Sequence, residues 1–184
     1  MRRPVIFLDI DSVLNCFFYG DSSYGNTRKP LIEPDVPLCA ECVVALKSVL
    51  DRLPDAAVVW STSWALHDED RWGEWRNPRK WLESQDWFAN RLVGRTPRKM
   101  SSERHDEIWF WLIDNERYAD EKDRIDVSNF AILDDIEYGM GSFGRHFFRS
   151  NYETGLTPEQ ADRIVEYLKT DDYNAKDWTR YADA

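Results

Sequence analysis

The stretch VIFLDIDSVLN, residues 5–15, sets four interior-type side chains directly against two carboxylates. Val5, Ile6, Phe7 and Leu8 predict a short strand covered on both faces, of the kind found in the middle of a parallel sheet. Bare charges have no packing use at the tip of such a strand. In an extended chain positions i and i+2 share a side, so Asp9 and Asp11 are expected to project together from its carboxyl end. That edge is where open α/β sheets hold their ligands.

Working outward, the chain alternates strand and helix signals. Tyr19 to Pro37 is polar and contains Gly and Pro, which predicts a surface loop or flap. Leu38, Cys42, Val43, Leu46, Val49, Leu50 and Leu53 recur at three- and four-residue steps, the stripe of an amphipathic helix closed by Pro54. Ala56 to Trp60 is a second short apolar run and ends in Ser61-Thr62-Ser63. Ser101 or Ser102 can cap a helix whose inner face carries Ile108, Trp111 and Leu112. Phe130 to Leu133 predicts a third buried strand, and it too ends in carboxylates, Asp134-Asp135. Thr157-Pro158-Glu159-Gln160 combines a capping box with proline at the first helical position and opens a helix through Ile164, Val165 and Leu168.

This alternation predicts an α/β fold, a three-layer, Rossmann-like, mostly parallel sheet with helices on both faces. At 184 residues one domain with a substantial core is expected, and a second full domain would be cramped. The expectation is a single domain over residues 1–184 with its core at about 4–169. It carries the flap at 19–37, a Trp- and Arg-rich insert at 64–100 and a polar tail at 170–184. Nine Trp, nine Phe and eight Tyr supply bulky material for that core, which argues against global disorder.

No apolar run approaches the roughly 20 residues of a membrane span. Arg2-Arg3 leads straight into a strand without a signal-peptide cleavage region, so a cytoplasmic location is expected. Three cysteines, Cys16, Cys39 and Cys42, cannot close a disulfide framework. Cys39-Ala-Glu-Cys42 has the spacing of half a zinc site, but no second Cys or His pair follows it. The expectation there is ordinary core.

If the strands ending at Asp11, Thr62 and Asp135 lie side by side, their tips gather four carboxylates and several hydroxyls in one crevice. Such carboxylates repel one another or take up protons unless a cation neutralises them. Mg²⁺ is the expected ion, held by carboxylates, backbone oxygen, water and substrate phosphate.

The constellation resembles the haloacid dehalogenase (HAD) superfamily of phosphatases from about Pro4 to Lys169. Within it the sequence is similar to small domains of bacteria and phages that are attached to multi-domain RNA repair proteins. Phe7-Leu8-Asp9-Ile10-Asp11 matches the first motif, followed by the "VLN" typical of this group, with Ser12 where many relatives have Gly. "VVWSTSW" matches the second motif, with Thr62 the better candidate and Ser63 the second. "AILDD" matches the fourth, and "ETGLTPEQADRIVEYL" resembles the closing segment. For the basic third motif both Lys99 and Arg104 are candidates, and the context Arg104-His105-Asp106-Glu107-Ile108 favours Arg104.

The resemblance implies roles. Asp9 is the nucleophile that forms an aspartyl-phosphate, and Asp11 is the general acid and then base. Asp9, Asp134 and the backbone carbonyl of Asp11 hold Mg²⁺, with Asp135 contributing directly or through water. Thr62, Ser63 and Arg104 or Lys99 bind phosphate oxygens. Substrate selection falls to insertions after the first strand and before the third motif. These are about 20 and fewer than about 40 residues here, too short for an independent cap domain, so the cap is minimal and the crevice open.

The net charge of −10 disfavours general affinity for nucleic acid. Yet Arg71 to His105 holds nine Arg or Lys against four Asp or Glu, making that segment +5 and the rest −15. Its basic residues interleave with Trp72, Trp75, Trp81 and Trp87, which suits either stacking on bases or an ordinary Trp-rich core. The expected partner is a phosphorylated nucleotide or nucleic-acid end, with a terminal 3′-phosphate first. The alternatives are a small-molecule phosphatase acting on a sugar phosphate or mononucleotide, and a non-catalytic binding protein that keeps the fold. The sequence is silent on oligomeric state.

Overall fold

Val5 and Phe7 pack on one side of a sheet and Ile6 and Leu8 on the other, so the opening strand is covered on both faces. The structure is a computed structural model that describes residues 3–16, 30–97, 103–118 and 125–170. Its elements are β1 (Arg3–Leu8), β2 (Leu31–Glu33), β3 (Val36–Cys39), α1 (Ala40–Arg52), β4 (Ala57–Trp60), β5 (Arg71–Trp72) and β6 (Trp75–Arg76). There follow α2 (Pro78–Glu83), α3 (Asp86–Ala89), β7 (Leu92–Arg95), α4 (Arg104–Tyr118), β8 (Ile125–Asp134), β9 (Phe147–Arg149) and α5 (Pro158–Lys169). Short 3₁₀ turns span Ser63–Leu66 and Met140–His146.

Five strands form one parallel sheet in the order β7-β4-β1-β8-β9. From β1 the chain steps to β4 and β7, then returns to β8 on the opposite side of β1. That reversal makes the cleft between the carboxyl ends of β1 and β8 a topological switch point, the place where such sheets bind ligands. One face is covered by α1 and α5, whose Leu46, Val49, Ile164 and Val165 share a core with Ile6, Leu8, Val58 and Leu133. The other is covered by α4, whose Ile108, Trp111 and Leu112 meet Val5, Phe7, Val59 and Phe130. Phe7 makes edge contacts with Trp111 at 5.2 Å and with Phe130 at 5.8 Å. The α/β, Rossmann-like expectation is met.

Register delivers the strand tips to one level. Leu8 stands opposite both Trp60 and Leu133. The ladder runs one residue further, with the Asp9 amide donating to the Leu133 carbonyl at 3.0 Å and the Ser61 amide to the Leu8 carbonyl at 2.9 Å. The capping box of α5 is formed in both directions, between the Thr157 and Gln160 side chains and each other's amides, with Pro158 opening the helix.

Several expectations change. Two strands of the main sheet, β7 and β9, carry no buried run: β7 alternates half-buried and exposed residues, as an edge strand does. The stretch around Pro37 is not a surface loop, because β2 and β3 form an antiparallel pair in which Val36 and Leu38 are buried. Residues 19–29 of the expected flap, the Ser101/Ser102 cap, Lys99 and all but the first residue of the expected tail at 170–184 lie outside the described residues.

Four basic residues of the Arg71 to His105 segment are compensated by acids from elsewhere in the chain. Arg71 and Arg76 pair with Asp35, Arg76 also with Glu33, Arg79 with Asp68 at 3.2 Å, and Lys80 with Asp70 at 2.6 Å. Trp81 donates its indole N–H to Glu33 at 2.7 Å, and both Trp81 and Trp87 pack against the main core. These two indoles serve the interior, and the charges around them are cross-links on its outside.

Candidate active site

Asp9 follows the last residue of β1 and Asp134 closes β8, so neighbouring strands bring them together. Both are almost fully buried, at 3 % and 1 % exposure. With Asp135 they offer carboxylate oxygens that all lie within 4.8 Å of one another. Arg104, the first residue of α4, reaches in from the opposite layer. Its Nη1 lies 3.5 Å from Asp9 Oδ1 and 3.3 Å from Asp134 Oδ2.

The electrostatics follow from burial. Desolvation pushes the Asp9 carboxyl well above its usual range, helped by Asp134 and Asp11 and opposed by Arg104 and a hydrogen bond from Thr62. Burial raises Asp134 to about 6, against the pull of Arg104. Burial also works against the charge of Arg104, but Asp9, Asp134, Glu107 and Asp135 outweigh it, and its pKa is raised. Arg104 Nη1 and Asp134 Oδ2 sit at ion-pair distance yet out of hydrogen-bond alignment, so both buried atoms retain unspent bonding capacity. Three hard oxygen donors, two of them with raised affinity for protons, and an unsatisfied carboxylate oxygen fit a hard divalent cation.

Asp11 departs from the i, i+2 expectation. The strand ends at Leu8, and Asp11 begins a turn, so its carboxylate is not one of the clustered oxygens among the described residues. Asp9, Asp134 and Asp135 form the tight cluster, with Asp11 near enough for its charge to act on Asp9. Asp11 is instead held by the indole N–H of Trp64 at 3.1 Å and by Asn15 Nδ2 at 2.8 Å. Asn15 is fully buried and accepts the Ser12 amide at 2.7 Å with its other arm, which fixes the loop that aims Asp11. Ser12 has φ +59°, a left-handed conformation that explains why glycine suits this position.

Thr62 caps the 3₁₀ turn after β4, accepting the Trp64 amide at 3.3 Å, and its side chain meets Asp9. Ser63 is the next residue of that turn and is half-buried. Thr62 also lines a cavity of about 300 Å³ with Ala65, Leu66, Arg95, Thr96, Pro97 and Glu107. Gly139, with φ +75°, lies so close over the His105 ring that a Cβ there would fall 2.1 Å from Nδ1. Glycine is therefore required where the loop after β8 crosses the start of α4.

Sequence reasoning placed Asp9, Thr62, Arg104, Asp134 and Asp135 at one site, and the structure brings them together. It gave no role to Asn15, Trp64, Glu107 or Arg95. Asn15 and Trp64 stand inside the quoted "VLN" and "STSW" stretches, so the signal was present but carried no chemistry of its own.

A comparison with protein families matches residues 5–161 to the HAD domain in Swiss Army Knife RNA repair proteins. Neither the curated proteins nor the solved structures yield a match. With most of its length matched, and with its acidic strand tips at the switch point of a parallel sheet, the chain belongs to this family of HAD domains.

Proposed function

We propose that the chain is a Mg²⁺-dependent phosphatase that works through an aspartyl-phosphate on Asp9 and acts on a nucleic-acid 3′-phosphate end or a nucleotide. The observation that carries it is the cluster of buried Asp9 and Asp134 with half-buried Asp135, and Arg104 at ion-pair distance from the first two. Family membership supports phosphoryl chemistry, and the family's association with RNA repair proteins supports a nucleic-acid end as substrate.

In this reading an Asp9 oxygen attacks phosphorus while the bond to the leaving oxygen breaks, and Asp11 gives that oxygen its proton. Asp11 then takes a proton from the water that attacks the same phosphorus, which releases phosphate and restores Asp9. Trp64 and Asn15 keep Asp11 aimed through both halves. Arg104, at the start of a 15-residue helix, and Thr62 with Ser63 hold the non-bridging oxygens. When bound among Asp9, Asp134 and Asp135, Mg²⁺ neutralises the carboxylates and the phosphoryl oxygens facing them.

The cavity beside Thr62 has room for a group of sugar size, and Arg95 and Thr96 give it polar walls. That feature also favours a second reading, a phosphatase for small sugar phosphates or mononucleotides. An assay with Mg²⁺ comparing 3′-phosphorylated oligonucleotides, 5′-phosphorylated ones, free mononucleotides and sugar phosphates separates the two. Activity confined to the small esters removes the end-processing version.

A further inference from the structure

Cys16 lies 23 residues before the Cys39-Ala-Glu-Cys42 pair in sequence, yet all three thiols share one buried point, a group separate from the carboxylate cluster. Their sulfur atoms all lie within 4.8 Å of one another. Cys16 and Cys42 Sγ are 3.7 Å apart, and the Cys16 amide donates to Cys39 Sγ at 3.0 Å. Three segments close around them: the loop after β1, the start of α1, and the turn at Asn151–Gly155. The Cys39 amide donates to the Leu14 carbonyl at 2.8 Å and the Leu156 amide to the Val13 carbonyl at 2.8 Å, so the pocket is fixed from both sides. Gly155 makes room: a Cβ there would stand 2.6 Å from Cys42 Sγ and 3.0 Å from Cys16 Sγ.

We infer that these three cysteines form a second metal site, one for a thiophilic d¹⁰ ion such as Zn²⁺, which staples the loop carrying Asp9 and Asp11 to the start of α1. The separation is right: Zn–S bonds of about 2.3 Å put two sulfurs of a tetrahedral site about 3.8 Å apart. Cys39 is the N-cap of α1 and Cys42 lies in its first turn, so the positive end of a 13-residue helix favours their thiolates. An N–H pointing at Cys39 Sγ treats that sulfur as an acceptor, a role a thiolate fills better than a thiol. The Thr154 carbonyl, 3.5 Å from Cys42 Sγ, is at hand for the fourth position.

Buried cysteine usually packs as a small apolar side chain, and three of them scattered in a core would mean no more than that. Here they meet each other, in a notch that only a glycine leaves open. Metal uptake exchanges three S–H bonds for three S–metal bonds and releases three protons, leaving a cluster of charge −1 beside the helix N-terminus. Without metal, hydrogen bonding of the Cys16 thiol to Cys39 and Cys42, followed by burial, holds its pKa above the ordinary thiol value.

Cobalt(II) titration of the reduced protein, with Mg²⁺ in excess to occupy the carboxylates, tests this site. The expected result is the near-ultraviolet thiolate-to-cobalt charge-transfer band with tetrahedral visible bands, saturating at about one ion per chain and displaced by zinc. Zinc should also raise the thermal midpoint under the same Mg²⁺ excess. Cys16→Ser and Cys42→Ser should each abolish the band while circular dichroism shows the fold retained. Should either variant unfold, thiol counting on the wild-type protein decides, because bound zinc must shield the cysteines from alkylation. A folded, reduced protein that shows no thiolate-to-cobalt band, whether it takes up no cobalt or takes it up elsewhere, overturns the inference.

Discussion

Arg104 Nη1 stands 3.3 Å from Asp134 Oδ2 inside the protein, close enough to neutralise it and too poorly aligned to bond it. A guanidinium held this way is poised to turn toward an arriving phosphate. Arg104→Met should therefore lower kcat/KM roughly 10²–10³-fold and weaken inhibition by inorganic phosphate. Arg104→Lys, which keeps the charge but loses the planar fork, should recover only part of the rate. Steady-state kinetics with a 3′-phosphorylated oligonucleotide measures both.

Asn15 links the Ser12 amide to the Asp11 carboxylate. Its loss should leave the phosphate clamps intact and Asp11 poorly aimed. For Asn15→Ala the expected outcome is a fall in kcat of roughly 10–100-fold with KM little changed and an altered pH profile. Trp64→Phe, which keeps the ring and removes the N–H, should reproduce the effect in milder form. An unchanged pH profile in both variants would assign these residues to structure alone.

Asp134, raised to about 6, and Asp9, raised well above its usual range by burial, bind protons more tightly folded than unfolded. Their contribution to stability is complete below the unfolded carboxylate range and is lost as pH climbs through about 6. The metal-free protein should thus melt at a lower temperature at pH 7 than at pH 5, and Mg²⁺ at pH 7 should restore the difference. Asp70, lowered by its hydrogen bond and ion pair with Lys80, and Glu159, lowered by hydrogen bonds from its own amide and Thr157, shift the opposite way and fall outside this window. Equal melting temperatures at both pH values in chelator would contradict the electrostatic account.

Ser12 holds φ +59° with a side chain that has to tolerate it. Left-handed backbone costs an L-residue about 1–2 kcal/mol, part of which a glycine gives back as unfolded-state entropy. Ser12→Gly should stabilise the protein by roughly 0.5–1 kcal/mol, a rise of a few degrees at most in Tm. Differential scanning calorimetry measures it.

The legible part of this protein is what periodicity and strand-end chemistry encode. β1, β4 and β8 read as buried runs because both their faces are covered, and α1 and α5 read as stripes because only one face of each is. β7 and β9 were not legible: an edge strand of four residues or fewer has no buried run to display. The i, i+2 argument for Asp9 and Asp11 assumed a strand that continues. The chain turns at Asp11 instead, where Asn15 and Trp64 reorient the second carboxylate. For the positive segment the sequence leaves a polyanion surface and a Trp-rich core both open, because Glu33 and Asp35, about 40 residues earlier, come beside it only after folding. The thiol cluster was hidden for the same reason, since Cys16 and Cys39 are joined by topology and not by spacing.

The most direct test is to trap the phosphoenzyme. Protein mixed with a phosphorylated substrate and Mg²⁺ is quenched in acid, reduced with borohydride, digested and sequenced by mass spectrometry. The account predicts conversion of Asp9 to homoserine, lost in Asp9→Asn and diminishing as substrate is exhausted. Turnover with Asp9 unmodified, or with phosphate carried on another residue, would contradict it.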